Sequence, residues 1–197
     1  VPKRESYHHG DLRAALVEAA LTLIAERGID ALSVAEAARR TGVSPGAPYR
    51  HFPTRLALLK AAATRAAEVL AADLRASVRE TADPAEALAA TAAVYVRFVV
   101  RHRAGFDLIF AEQLRPLADP ALGDAGRAVM DVLLPIALEL TGDAQAALDL
   151  LQQHIAAAHG FAVLHLSGFM SRYSPDVDAV AEAAAGTSRA LATSARR

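Results

Sequence analysis

The sequence predicts an all-α protein, and three observations carry that reading. Hydrophobic residues make up 53% of its 197 residues, with Ala, Leu, Arg and Glu plentiful. The apolar/polar alternation of β-branched residues that marks strands is almost absent, and apolar residues recur instead at helical spacing. Pro, Gly and Asp then punctuate the chain in a way that divides it into about nine helices: an N-terminal three-helix unit over 1–54 and a C-terminal helical bundle over 55–197.

The first helix is expected over 12–27, where Leu12, Leu16, Ala19 and Leu23 form a stripe flanked by Ala15, Ala20 and Ile24. Asp11 can cap its start and Gly28 follows its last turn. Ser33 with Glu36 three residues on is a capping-box pattern that opens a second helix through Arg40, and Gly42 suits the left-handed position that ends it. Ser44 and Pro45 supply an N-cap and N1 pair for a third. Thr54 caps a fourth, with Leu56, Leu59, Ala63, Ala66, Leu70 and Leu74 on one side. The second and third helices are thus joined by a short turn containing glycine, the helix-turn-helix arrangement. Ala38, small and four residues before Gly42, lets the two approach closely. Spacing alone suits an αα-corner of any helical protein equally well.

Beyond residue 75, prolines and turn residues in "ADPAEAL", "ADPAL", "TGDA" and "YSPDV" separate helices expected at 85–103, 105–114, 121–140, 143–170 and 176–195. The segment 148–169 is apolar on two faces, one with Leu148, Leu151, Ile155, Ala158 and Ala162, the other with Leu150, Ala157, Phe161 and Leu164. A helix apolar on both sides needs cover on both sides. Its own bundle supplies one cover, and a second copy of the chain is the simplest candidate for the other; the alternative is a helix at the centre of a monomeric bundle. The last helix carries a stripe of mostly small residues, Val180, Ala183, Ala184, Ala190 and Leu191, so the two C-terminal helices of each subunit could form a four-helix homodimer interface.

Composition narrows the function classes. The chain has no cysteine, which excludes disulfides and thiolate metal sites. Its most apolar run, "IAAAHGFAVLHL", is too short for a bilayer. The basic N-terminus is followed by no apolar h-region, so a cytoplasmic protein without a membrane partner is expected. His154 and His159 are five residues apart, off the spacing of a helical zinc pair, and no HExxH, nucleophile elbow or phosphate loop occurs. Neither an enzyme, a cofactor nor a metal is expected. The formal charge of −1 is unevenly spread: residues 1–60 hold nine Lys/Arg against six Asp/Glu, residues 61–197 twelve against sixteen. The N-terminal part is therefore the part suited to phosphate.

The stretch "SPGAPYRHF" at 44–52 breaks the helical pattern. Pro48, about four residues into the third helix, removes an intrahelical hydrogen bond and disfavours the α conformation at Ala47. Gly46 and Ala47 leave the helix start nearly bare, able to approach a surface closely, and the N-terminal residues of a recognition helix meet base edges in the major groove. Tyr49, Arg50 and His51 follow with polar tips of the kinds that phosphate oxygens accept from. Each also has a structural reading: Tyr49 as a core residue with a wet hydroxyl, His51 as a cap, Arg50 as a solvated side chain.

Residues 20–61, "ALTLIAERGIDALSVAEAARRTGVSPGAPYRHFPTRLALLKA", resemble the DNA-binding domain of the TetR family of bacterial transcription regulators through "ERG" followed by "SV", "TGVS", "YRHF" and "LALL" in that order. The resemblance implies base reading by Ala35, Pro45, Gly46, Ala47 and Tyr49, and phosphate contacts from Ser33, Tyr49, His51, Thr54 and Arg55. With Ser44 and Arg50 these make up the candidate DNA interface. Pro53 and Leu56 stand where the family commonly has a polar or charged residue, and Thr41 where it often has alanine. "YHHGDLR" near the N-terminus, with His159, Gly160 and Gly168, resembles the subgroup whose C-terminal domain is named for a Trp-His-Gly signature, although this chain has no tryptophan. The basic arm with Lys3 and Arg4 suits a minor groove or a solubilising tail. By the same resemblance the chain is a repressor that binds a pseudo-palindromic double-stranded DNA operator as a homodimer and is released by a small apolar effector in its C-terminal domain. Phe98, His102, Phe106, Phe110, His159 and Phe161 are the candidate effector contacts; nothing in the sequence names the effector.

Overall fold

A computed structural model describes residues 9–79, 81–103, 106–109, 114, 119–170 and 176–196. Every regular element among them is helical: α1 (His9–Arg27), α2 (Val34–Thr41), α3 (Arg55–Val78), α4 (Pro84–His102), a single turn α5 (Phe106–Ile109), α6 (Pro120–Thr141), α7 (Ala144–Leu166) and α8 (Val177–Ala195), with 3₁₀ turns at Ile29–Ala31 and Pro48–Arg50. The all-α class holds, with seven helices of eight residues or more in place of about nine. Two expected helices account for the difference. The third helix of the head is a turn followed by the 3₁₀ segment, and of the helix expected at 105–114 only one turn lies among the described residues.

Side-chain caps set the helix starts. Ser33, Thr54, Asp83, Asp119, Asp143 and Asp176 each accept a hydrogen bond from a backbone N–H in the first turn that follows, satisfying donors that have no partner within the helix. Pro at the first position of α4 and α6 adds a preset φ at no hydrogen-bond cost. Gly42 ends α2 at φ 70, in the left-handed region. Within the described residues the chain is already helical at His9, so Asp11 lies inside α1 and is not its cap.

One apolar core joins the head to the body. Leu16, Leu23 and Ile24 of α1, Phe52, and Leu58 and Leu59 of α3 belong to the same buried cluster as Val96 of α4 and Val180 of α8. The link is α3, whose buried residues run from Leu58 to Leu74. A second, smaller cluster at the far end gathers Leu88, Leu133, Leu140, Leu150 and Leu151 around Ala192. Helix α8 is strapped to α4 by the Arg189 guanidinium on both Glu86 oxygens, at 2.5 and 2.8 Å, and by Arg196 on Asp83 at 2.6 Å.

The two expected faces of α7 fold into one. Leu150, Leu151, His154, Ala158 and Ala162 are all buried within the chain, whereas Leu148, Val163 and Leu164 are exposed. On α8, Val180 and Ala184 face inward, and Ala179, Ala183, Ala190 and Thr193 are exposed, with Gly186 half-buried between them and exposed Glu182 at their edge.

Candidate nucleic-acid interface and effector cavity

The head is built around Pro48 and Phe52, both buried, with the Arg13 guanidinium 5.3 Å above the Phe52 ring. Pro48 lacks the N–H that would bond the Ser44 carbonyl, so an α-turn cannot close there. The carbonyl of Ser44 instead accepts from Ala47 N at 3.1 Å, and that of Ala47 from Arg50 N at 3.4 Å. These three-residue bonds tighten the segment into 3₁₀ geometry. The result is a short spur fixed at its base by two apolar anchors. Its tip, Ser44, Pro45 and Gly46, is exposed, Ala47 is half-buried, and Tyr49 retains 48% of its surface. Arg50 and Thr54 are exposed and His51 is half-buried.

Helix α2 lies behind the spur. Its inner residues Val34, Ala37 and Ala38 are buried, and Ala35 faces out. Its outer surface is clamped by ion pairs: Arg39 grips both oxygens of Glu36 at 2.7 and 2.8 Å, and Arg40 both oxygens of Glu26 at 2.5 and 3.0 Å. The Arg39 fork, aided by Arg27 and Arg40, holds the Glu36 carboxyl down at about 2. The Ser33 hydroxyl accepts from Glu36 N at 3.0 Å, so the cap half of the expected capping box is made, while the Glu36 carboxylate turns to arginines.

Arg55 is partly spent on the fold. Its Nε donates to the Leu32 carbonyl at 3.0 Å and a terminal nitrogen to that of Ile29 at 2.7 Å, which ties the start of α3 to the turn before α2. Thr54, its neighbour, accepts from Ala57 N. Of the expected DNA contacts, Ala35, Ser44, Pro45, Gly46, Ala47, Tyr49, Arg50 and His51 thus present surface in full or in part, whereas Ser33, Thr54 and Arg55 also carry local structure. The N-terminal arm, with Lys3 and Arg4, lies outside the described residues.

In the body, the candidate effector residues whose side chains are described, Phe98, His102, His159 and Phe161, lie in different surroundings. Phe98 and His102 stack on each other, ring centroids 4.8 Å apart, along an open groove between α3 and α4. Burial and the Arg101 charge lower the His102 pKa. His159 Nδ1 meets the Tyr95 hydroxyl at 3.0 Å, and Phe161 is half-buried against the main core. Phe110 and the side chain of Phe106 lie outside the described residues. A different set encloses a cavity of about 60 Å³ between α3, α4, α6 and α7, with Leu74, Thr91, Tyr95, Gly126, Met130 and His154 among its walls. His154 is buried there, its Nδ1 2.9 Å from the Ser188 hydroxyl and its Nε2 3.3 Å from that of Thr91. Burial pushes its pKa down to about 4. In sequence His154 draws notice only for its spacing from His159, off that of a helical zinc pair. Thr91 and Gly126 gave no signal there, because a cavity wall has no residue pattern of its own.

A short exposed spur on a helix-turn-helix head, carried by a long helix into a helical body, defines a DNA-binding regulator. Residues 16–62 match the family model described as "Bacterial regulatory proteins, tetR family", and residues 88–187 the one described as "Tetracyclin repressor-like, C-terminal domain". The chain belongs to the TetR family of transcription regulators, which are DNA-binding proteins and not enzymes. It is 33% identical over 98 residues to the HTH-type transcriptional activator FasR of Mycolicibacterium smegmatis, a match that spans 50% of this chain and 45% of that one. A solved structure of unknown function from Rhodococcus sp. RHA1 superposes with a TM-score of 0.74 at 34% identity, covering 95% of this chain and 98% of that one. A tetR-family regulator from Streptomyces coelicolor shares the fold, with a TM-score of 0.72 at 23% identity over 95% and 83% of the two chains. Among the described residues no helix is long and apolar enough to cross a membrane, and no group of three or more His, Asp or Glu is placed to hold a metal ion.

Proposed function

We propose that the chain is a repressor that binds a pseudo-palindromic operator as a homodimer and lets go when a small molecule enters the body. The observation that carries this reading is the spur: a bare tip of Ser44, Pro45 and Gly46 held out from two buried anchors, Pro48 and Phe52. Such a tip suits close approach to base edges, with Ala47 and Ala35 beside it and Tyr49, Arg50, His51 and Thr54 placed around it for phosphate. Arg55 would orient the start of α3 through its two carbonyl bonds and offer its remaining N–H donors to the DNA backbone.

The dimer would form through α7 and α8. The outward stripe of α8 is made of small residues at helical spacing, and α7 exposes Leu148 (47%), Val163 (41%) and Leu164 (42%). Small side chains allow close helix approach and exposed apolar ones favour burial, which together suit a four-helix interface. Two heads on one dyad read half-sites about 34 Å apart, or a multiple of that. The effector would occupy the cavity between α3 and α6. Helix α6 reaches from that cavity to the head, where its capping residue Asp119 pairs with Lys60 of α3 at 2.6 Å. This makes residues 1–54 the reading unit and 55–197 the ligand and dimer unit.

The test is operator mapping with the purified protein across a salt titration, followed by a reporter gene. A steep loss of affinity with salt and silencing of the reporter are expected. Salt-independent binding would overturn the DNA reading. A reporter switched on would overturn repression alone and favour the activator sense carried by the name of FasR.

A further inference from the structure

We propose that the cavity between α3, α4, α6 and α7 is selective for an uncharged, mainly apolar molecule of at most one ring, whose hydroxyl donates to Thr91, and that it rejects carboxylates and ammonium ions. This rests on the effector reading above and adds the chemical class to it.

The selectivity follows from how the polar wall atoms are already used. The Thr91 hydroxyl has one proton, and it goes to the Leu88 carbonyl at 2.7 Å. Across the 3.3 Å contact with Thr91, His154 Nε2 must therefore be the donor. Its Nδ1 then accepts, and the Ser188 hydroxyl 2.9 Å away donates to it. The imidazole is neutral, with both nitrogens engaged. The Tyr95 hydroxyl is engaged with His159. Thr91 Oγ1 keeps one acceptor lone pair, which a ligand hydroxyl can use. No Lys, Arg, Asp or Glu is among the described wall residues. Among the described wall residues a carboxylate would find neither a cation nor a spare donor, and an ammonium ion would find one lone pair for three protons. A charge buried without partners is strongly disfavoured.

Size follows from two residues of α6. Gly126 sits inside that helix, where glycine is a poor helix former. It lines the cavity, and a Cβ built on it meets no atom within 4 Å, so its missing side chain leaves space there. Met130, one turn on, is another wall residue, and its unbranched side chain adapts readily. The present volume of about 60 Å³ is below the ~150 Å³ of an apolar cavity that takes benzene. A single ring therefore needs Met130 to swing aside, and each further ring needs more of the wall to move.

The experiment is calorimetric titration of the full chain at neutral pH with four probes of similar size: toluene, phenol, benzoate and benzylamine. Saturable binding of toluene and phenol, and none of benzoate or benzylamine, is expected. Thr91→Val should weaken phenol about fivefold, the loss of one neutral hydrogen bond, and leave toluene unchanged. Gly126→Leu should abolish binding of both while helical content and operator binding persist. Benzoate or benzylamine binding as well as phenol, binding that survives Gly126→Leu, or no binding by any probe overturns the proposal. Operator release is scored separately. Phenol that binds without releasing DNA overturns the effector reading and leaves the selectivity standing; release by benzoate alone does the reverse.

Discussion

Tyr49 and His154 mark the two extremes of how a polar side chain is used in this molecule. Tyr49 stands half out of the surface next to the buried Pro48, and its loss costs the core little. In Tyr49→Phe, operator affinity should fall by about 1 kcal/mol, the worth of one net hydrogen bond, with no change in melting temperature. A gel-shift titration and a thermal melt check the two halves; unaltered affinity would take its hydroxyl off the DNA. His154 is the opposite case, sealed in the core as a neutral ring with a pKa lowered from 6.5 to about 4 by desolvation. Between those values the unfolded chain binds a proton that the folded chain does not, so stability rises with pH across the window and is complete above pH 6.5. Denaturant unfolding at several pH values should show that limb in the parent chain and lose it in His154→Gln.

Helix ends were the part of the architecture most legible in sequence, because a cap is a local interaction. Ser33, Gly42 and Thr54 do what their residue types imply. Thr54→Ala should cost about 1 kcal/mol of stability on denaturant unfolding. Glu36 was legible only in part: its spacing from Ser33 suggests a reciprocal cap, yet two-pronged arginine contacts outcompete a single backbone N–H for its carboxylate. With its carboxyl lowered from 4.5 to about 2, the pair stabilises α2 fully above pH 4.5 and loses that contribution as pH falls toward 2. Amide protection factors in α2, corrected for the intrinsic pH dependence of exchange, should fall down that range, and Glu36→Gln should flatten the trend. The third helix of the head was misjudged in kind, though not in place. Pro48 is a breaker by type, and its missing N–H leaves a turn and a 3₁₀ segment, closed by one α-type bond from Phe52 N to the Pro48 carbonyl at 2.8 Å, where a short α-helix is expected. The cavity wall is the least legible part, since residue type says nothing about which helix face meets a cavity. Phe98 and His102 share a groove on α4, while Tyr95 of the same helix is on the cavity wall.

The whole molecule sets what the heads can do. If α7 and α8 hold two copies together, a charge in the small-residue stripe of α8 should split them: Ala183→Glu is expected to give a monomer in sedimentation and to lose most operator affinity, with helical content intact. The faces of α7 were misassigned in sequence for a reason that also lies at this scale. Leu150 and Leu151, which spacing puts on different stripes, fall within one broad buried arc because α4, α6 and α8 all pack on the helix, and periodicity cannot count neighbours. The same crowding extends down α3, where Leu58, Leu59 and Ala62 belong to a core that also takes in Leu16 and Leu23 above and Val96 and Val180 below. An engineer wishing to transplant the reading head onto a foreign sensor therefore cannot cut at residue 54. The excised piece would carry a bare greasy seam where α3 had lain, so a workable chimaera must bring that helix along or redesign the seam for water.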